Sequence, residues 1–146
     1  MEEDLNHFLT HWYAGYLNAL SLLEGDQQDK FFAACGYACA ASYTAERFQI
    51  AWKNAQGNDS TFLDELKERF PEAEYKLASE HEIEVVYNTC ACDLVKCGWV
   101  KSPLHCRCSL FNLKENFQLV TGKPVNVVLQ ESILSGNERC RFRVSW

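Results

Sequence analysis

The chain has 146 residues, of which 47% are hydrophobic and 23% are charged, and its formal net charge is -6. We expect one domain over residues 1–146, because this length buries a core without disulfide bonds and the composition excludes a disordered chain. The negative charge argues against nucleic acid as a partner, and the lack of a long apolar run argues against a membrane span.

The first four residues, Met1 to Asp4, point to the cellular compartment. They are acidic, whereas a secretory signal peptide begins with positive charge and continues into an apolar stretch. We therefore expect a cytoplasmic protein. In that compartment the eight cysteines are metal ligands, free thiols or small core residues rather than disulfide partners.

The first half of the chain has helical periodicity. Apolar residues recur at helical spacing from Leu5 to Leu23, and Gly25 is placed to end this first helix. Asp26 is the expected N-cap of a second helix, which extends to Trp52 and has many small residues at its centre. Because small side chains allow another backbone to approach closely, this helix is predicted to be central. A shorter helix is expected to end before Pro71.

The next part of the chain changes to the alternation of β-strands. From His81 to Tyr87, apolar residues alternate with glutamates, which predicts a half-buried strand. The segment from Cys90 to Val95 is expected to extend this strand or to pair with it. Ser109 is the expected cap of a helix that ends at Gly122.

Two alternating runs close the chain. Residues 125–133 and 140–146 flank a turn at Gly136 and Asn137, which predicts an antiparallel hairpin with one buried face. The arginines at 139, 141 and 143 are expected to form a solvated face, with attraction of an anionic ligand as the alternative. The resulting order is helices, then strand-strand-helix-strand-strand. It predicts an α+β fold in which N-terminal helices pack on an antiparallel sheet.

Paired cysteines are the most chemically suggestive feature of the sequence. Six of them form three closely spaced pairs: Cys35 and Cys39, Cys90 and Cys92, Cys106 and Cys108. Residues four apart on a helix, or two apart on a strand, share a face, so any two pairs could supply the four thiolates of a zinc site. Zinc is therefore a candidate cofactor. Two alternatives stay open, namely small buried hydrophobic residues and a reactive or redox thiol.

Catalysis by a cysteine requires a nearby base or cation that lowers the pKa of the thiol. The candidates are Cys106 and Cys108 as nucleophiles, with His105 as the base. In an extended segment His105 and Cys106 would point to opposite faces, unless Pro103 introduces a turn. Other possible partners of a thiol are His81 and Lys101.

The carboxy-terminal motifs carry a family resemblance. Gly122-Lys123-Pro124-Val125 and the run from Glu131 to Phe142, Glu-Ser-Ile-Leu-Ser-Gly-Asn-Glu-Arg-Cys-Arg-Phe, resemble the closing hairpin of the 4-vinyl reductase domain family. With Cys35-Gly36-Tyr37-Ala38-Cys39-Ala40, Cys90-Ala91-Cys92 and Cys106-Arg107-Cys108-Ser109, the chain also looks like bacterial proteins grouped near the L-2-amino-thiazoline-4-carboxylic acid hydrolases.

The resemblance to 4-vinyl reductase domains implies a sandwich related to trafficking-complex subunits, often a dimer, with a pocket for a small hydrophobic molecule. Some members of that family carry a zinc site beside the closing hairpin that includes a cysteine matching Cys140. The second hairpin cysteine of those sites has no counterpart here, because Ser132 or a neighbour occupies its place. The hydrolase resemblance implies a cysteine-dependent ring opening.

Three hypotheses about function follow from these patterns. The first is a small-molecule-binding domain of the 4-vinyl reductase type, in which the cysteine pairs converge on a pocket or a metal. The second is a cysteine-dependent hydrolase that opens a small thiazoline-type ring. The third is a structural or adaptor module in which the closing strand is the edge of a homodimer.

Overall fold

Six α-helices and one four-stranded sheet make up the fold, and a computed structural model describes all residues, 1–146. The helices are α1 (Glu2–Ser21), α2 (Gly25–Cys39), α3 (Ala45–Ala55), α4 (Asp59–Arg69), α5 (Asp93–Lys96) and α6 (Cys106–Thr121). The strands are β1 (Ala73–Ser79), β2 (Glu82–Tyr87), β3 (Asn126–Glu131) and β4 (Cys140–Ser145). The predicted α+β class and the order strand-strand-helix-strand-strand are confirmed.

The sheet has the order β1-β2-β4-β3, and every neighbouring pair is antiparallel. β3 and β4 form the predicted closing hairpin, with Val127 opposite Val144 and Leu129 opposite Phe142. The prediction that the closing strand forms a dimer edge is wrong, because β4 pairs with β2 on its other side. The edges of the sheet are β1 and β3.

The first two strands differ in position from the prediction. β1 lies upstream of the predicted strand, and it joins β2 through a turn at Glu80 and His81. His81 has a φ of 58°, so it belongs to the turn and not to the strand. The segment from Cys90 to Val95 does not form a strand. It leaves the sheet after Tyr87 and enters the short helix α5, because β1 and β4 already occupy both sides of β2.

Helix boundaries differ from the sequence prediction at two places. α1 ends at Ser21, and α2 begins at Gly25, with Glu24 in extended conformation as its N-cap instead of Asp26. α6 begins at Cys106 instead of after Ser109, because the turn Pro103–His105 leads directly into it. The side chain of Ser102 accepts a hydrogen bond from the Leu104 amide and so starts this turn.

The small-residue helix is central, as predicted, and it contains an irregularity. α2 continues through a π-helical segment, Ala40–Thr44, into α3, so residues 25–55 are helical without a break. α2 packs closely on α6 at Gly36. An added Cβ at Gly36 would lie 2.8 Å from the backbone nitrogen of Asn112 and 2.8 Å from Cβ of Phe111.

The main core lies between the inner face of the sheet and the helices α3, α4 and α6. Phe48, Phe62, Phe117 and Phe142 are almost fully buried in it, and the rings of Phe48 and Phe117 meet edge to face with centroids 5.2 Å apart. A second, smaller cluster joins α1 to α2 through Leu17, Leu20, Phe32 and Val100. These two clusters leave space between them for the candidate site.

α1 forms as predicted, but much of its apolar stripe is open to solvent. Only Leu17 and Leu20 are buried, whereas Phe8 and Trp12 are 57% and 50% exposed. No helix combines the length and apolar character that crossing a membrane would require.

The outer face of the sheet carries charges of both signs. Arg143 donates to Glu82 at 2.6 Å, and Arg141 lies 3.8 Å from both Glu84 and Glu131. The arginines of the closing strand are therefore paired with carboxylates of neighbouring strands. This arrangement agrees with a structural face more than with a site for an anionic ligand.

Candidate functional site

A cavity of about 570 Å³ lies between the N-terminal helices and the sheet. Its walls come from α1, α2, the π-helical segment, α6, the inner face of the sheet and the segment that precedes α5. Of its 32 lining residues, 25 are hydrophobic. Cavities of this volume and character are typical of small-molecule sites in proteins.

The cavity extends from the buried sheet to the surface. At its inner end lie Tyr75 and Phe142, which are both buried. At its outer end lie Trp12, Tyr16 and Tyr43, which line it and are also exposed to solvent. A ligand can therefore enter beside α1 and the π-helical segment without unfolding of the core.

A buried polar network holds one side of the cavity in place. Asn116, which is fully buried, donates from Nδ2 to Oγ1 of Thr44 at 3.0 Å and to Oδ1 of Asn112 at 3.2 Å. Asn112 also donates to Thr44 Oγ1 at 3.3 Å. Thr44 and Asn112 line the cavity, so the network connects the π-helical segment to α6 and adds polar atoms to an apolar wall. Single π turns inside helices occur frequently at functional sites.

The charges of the lining limit the ligands that it suits. Its charged side chains are those of Glu72 and Asp93, and it contains no Lys or Arg. An anionic ligand would therefore meet no cation inside the cavity. The lining favours a neutral, mostly apolar molecule.

The structure brings together all six predicted cysteines. Cys35, Cys39, Cys90, Cys92, Cys106 and Cys108 line the cavity, as does Cys140 of β4. The remaining one, Cys97, is exposed and does not line it. The alternative that these residues are only core hydrophobes applies best to Cys106 and Cys140, which are the two buried ones.

The spacing argument for zinc loses one of its three cysteine pairs. Cys106 and Cys108 lie on a helix and not on a strand, so their two-residue spacing points them to different faces. No group of three or more His, Cys, Asp or Glu side chains has the geometry of a metal site. Zinc stays a prediction of the sequence.

The pair of hairpin cysteines that forms a zinc site in some 4-vinyl reductase domains is also incomplete in this chain. The sulfur of Cys140 accepts from the Ile133 amide at 3.4 Å, and the hydroxyl of Ser132 lies 3.0 Å from the sulfur of Cys106. Each of these two sulfurs therefore has a hydrogen-bond partner within the protein. The position that would hold a second cysteine contains the hydroxyl of Ser132 instead.

His105 contacts a different cysteine from the predicted one. Pro103 does introduce a turn, and this turn places Nε2 of His105 3.3 Å from Sγ of Cys92. Cys106 contacts Ser132 instead, and neither Cys106 nor Cys108 contacts the imidazole. The sequence did not indicate the pair, because Cys92 and His105 are 13 residues apart, one before α5 and the other in the turn that leads into α6.

Burial keeps the six predicted thiols protonated at neutral pH. It raises the pKa values of all six predicted cysteines, and it raises that of Cys108 to about 12. Nearby thiolates would add to this effect, since Cys39, Cys35 and Cys92 each raise the pKa of Cys108 further. Burial lowers the pKa of His105, so Cys92 and His105 meet as a neutral thiol and a neutral imidazole.

The position of His105 predicts a pH dependence of stability. Its pKa in the folded protein is below the usual value of 6.5, so the unfolded chain binds a proton in a range where the folded chain does not. This contribution to stability is complete above pH 6.5 and is lost as the pH falls through the folded pKa. Urea unfolding at a series of pH values measures it. His105→Gln is expected to weaken the dependence of stability on pH below pH 6.5. An unchanged dependence in His105→Gln would contradict the assignment.

Solved structures that are similar to the chain include a sensory domain and a trafficking-complex subunit. The phenol-responsive sensory domain of the transcription activator PoxR with phenol has a TM-score of 0.60 at 12% identity, and the match covers 94% of this chain and 73% of that one. A trafficking protein particle complex subunit 3 from Naegleria fowleri, covalently bound to palmitic acid, has a TM-score of 0.59 at 10% identity, with coverage of 98% and 95%. The similarities show the fold. No protein family and no curated protein matches the chain.

Proposed function

We propose that the chain is a small-molecule-binding domain of the 4-vinyl reductase type, and that it holds a neutral, mostly apolar ligand in the cavity. The observation that carries this proposal is the cavity itself, about 570 Å³ in volume and lined mainly by hydrophobic side chains. A cavity this large in a chain of 146 residues leaves apolar surface without packing partners, which is costly unless a ligand fills it.

The structural neighbours support a ligand of this class. One was solved with phenol and the other with palmitic acid, which are both largely apolar molecules. An apolar cavity of about 150 Å³ is enough for benzene, so this cavity has room for a substituted ring or a folded chain. Because the lining carries Glu72 and Asp93 but no cation, we expect phenol to bind better than the palmitate anion.

Blocking the cavity mouth tests the proposal. Ala38 lines the cavity from α2 and is exposed, so Ala38→Phe places a ring at the opening without disturbing the buried core. Titration calorimetry with phenol is expected to show at least a tenfold loss of affinity, about 1.4 kcal/mol, in this variant. The matched control is Ala34→Phe, since Ala34 is also exposed on α2 but does not line the cavity. Equal affinities in the two variants would place the binding elsewhere.

A cysteine-dependent hydrolase is the second candidate function, and the contact between Cys92 and His105 is the observation that favours it. Its nucleophile would be Cys92, because Cys106 and Cys108 do not contact the imidazole. It ranks second because the lining offers no cation to the carboxylate of a thiazoline acid. Release of thiol from L-2-amino-thiazoline-4-carboxylic acid, abolished by Cys92→Ser, would support it, and no release by the unmodified protein would reject it.

A further inference from the structure

The cavity contains one thiol that is in contact with a base. Sγ of Cys92 lies 3.3 Å from Nε2 of His105, and both residues line the cavity. We propose that Cys92, with His105 as general base, forms a covalent bond with an α,β-unsaturated carbonyl ligand held in the cavity. This inference rests on the proposed binding function and adds a covalent step and a class of ligand to it.

Cys92 differs from the other cavity thiols in its environment. A thiol is a weak nucleophile until its proton leaves, and a neutral imidazole at hydrogen-bond distance accepts that proton as the sulfur attacks. His105 is the only histidine that lines the cavity. Cys106 contacts the hydroxyl of Ser132, which is a poor base, and Cys108 has a pKa of about 12 with no base beside it.

The surroundings of Cys92 also disfavour a permanent thiolate. Burial is the main cause of the raised pKa of Cys92, and the charge of Asp93 raises it further. Cys90, Cys39 and Cys108 are also close. The amides of Leu94 and Val95 lower the pKa of Cys92, but burial is the larger effect. Deprotonation is therefore expected to accompany attack on a bound ligand rather than to precede it. Such a thiol is selective for ligands that the cavity holds against it.

The proposed reaction is a conjugate addition. Sγ of Cys92 forms a bond to the β-carbon of the ligand, the carbon-carbon π electrons move to give the enolate, and the thiol proton passes to Nε2 of His105. The imidazolium then returns this proton to the α-carbon. The product is a saturated thioether. No group leaves during the reaction, and the reaction needs no external oxidant or reductant. Because the lining contains no Lys or Arg, the imidazolium of His105 is the cation that balances the charge of the enolate.

The test uses the full, reduced protein and trans-3-nonen-2-one, a neutral enone with an apolar tail. Peptide mass spectrometry after timed reaction gives the rate at each cysteine. Cys92 is expected to react at least about tenfold faster than Cys97, which is exposed outside the cavity and is an internal reference. His105→Gln is expected to lower the rate at Cys92 by about tenfold or more and to leave that at Cys97 unchanged.

Controls separate failure of this proposal from failure of the binding function. Cys97→Ser removes the exposed thiol outside the cavity and is expected to leave the rate at Cys92 unchanged. An unaltered circular dichroism spectrum excludes unfolding in His105→Gln. Phenol binding is measured on the same samples. If phenol binds but Cys92 reacts no faster than Cys97, or reacts equally fast in His105→Gln, the covalent proposal is wrong and the binding function stands. If phenol does not bind and Cys92 is no faster than Cys97, both are wrong.

Discussion

Asn116→Leu is expected to lower the free energy of unfolding by about 2 to 3 kcal/mol, although leucine has nearly the same size. Asn116 is fully buried, and its amide donates to Thr44 and Asn112. The substitution removes the donor to Thr44 and to Asn112, so the buried Thr44 hydroxyl keeps only the longer bond from Asn112, at 3.3 Å. Urea denaturation followed by circular dichroism measures the loss.

A double-mutant cycle gives this prediction its control. Thr44→Val replaces the hydroxyl by a methyl group of similar shape, and the double variant removes both partners together. Replacing both hydrogen-bond partners by apolar groups costs less stability than leaving one buried partner without its bond. The loss of unfolding free energy in the double variant is therefore expected to be smaller, by at least about 1 kcal/mol, than the sum of the losses in the two single variants. Strict additivity would show that the network does not connect the π-helical segment to α6.

Gly36→Ala is expected to destabilise the protein by about 1 to 2 kcal/mol, against the general preference of helices for alanine. The new Cβ would lie 2.8 Å from the backbone nitrogen of Asn112 and 2.9 Å from the carbonyl carbon of Phe111. Backbone atoms have no alternative rotamer, so α2 and α6 must move apart. The strain exceeds the gain in helix propensity of about 1 kcal/mol.

Gly15→Ala is the matched control for this prediction. Gly15 is in α1, where an added Cβ meets nothing within 4 Å, so only the gain in helix propensity remains. This variant is expected to be more stable by up to about 1 kcal/mol. Thermal unfolding of the two variants compares them directly. If Gly36→Ala gained stability as Gly15→Ala does, α2 and α6 would not be in close contact at this point.

Strong local patterns were sufficient to predict much of the fold. The alternation in β2 and the closing hairpin was visible because one face of each strand is buried in the core and the other is mostly polar or charged. The end of α6 was visible because Gly122 has the left-handed conformation that often ends a helix, with a φ of 67°. In these places local preference and tertiary packing agree.

The missed elements depend on contacts between distant residues. β1 alternates for only part of its length, and its Leu77 is 47% exposed, so its signal was weak beside that of β2. The segment Cys90–Val95 was expected to extend or pair with the strand that precedes it, but β4 takes the place beside β2. The turn at Pro103 starts a helix at Cys106. The order of the strands in the sheet decides the first of these outcomes, and the spacing of residues along the chain does not encode that order.

The sequence predicted the cysteines of the candidate site but not the contacts that they make. The sequence indicated that the cysteine pairs would converge, and the six residues do line one cavity. It did not indicate that Cys92 would contact His105, nor that Tyr75 and Tyr87 from the sheet would complete the wall. Those placements follow from how β1, β2 and α6 pack together, which no short motif describes.

The most direct test of the account is a heteronuclear NMR titration of the protein with phenol. Binding in the cavity predicts saturable chemical-shift changes at lining residues such as Ala38, Thr44 and Asn112, with little change at Arg143 on the outer face of the sheet. No saturable change, or changes confined to residues outside the cavity, would contradict the proposal that this domain binds a small apolar ligand there.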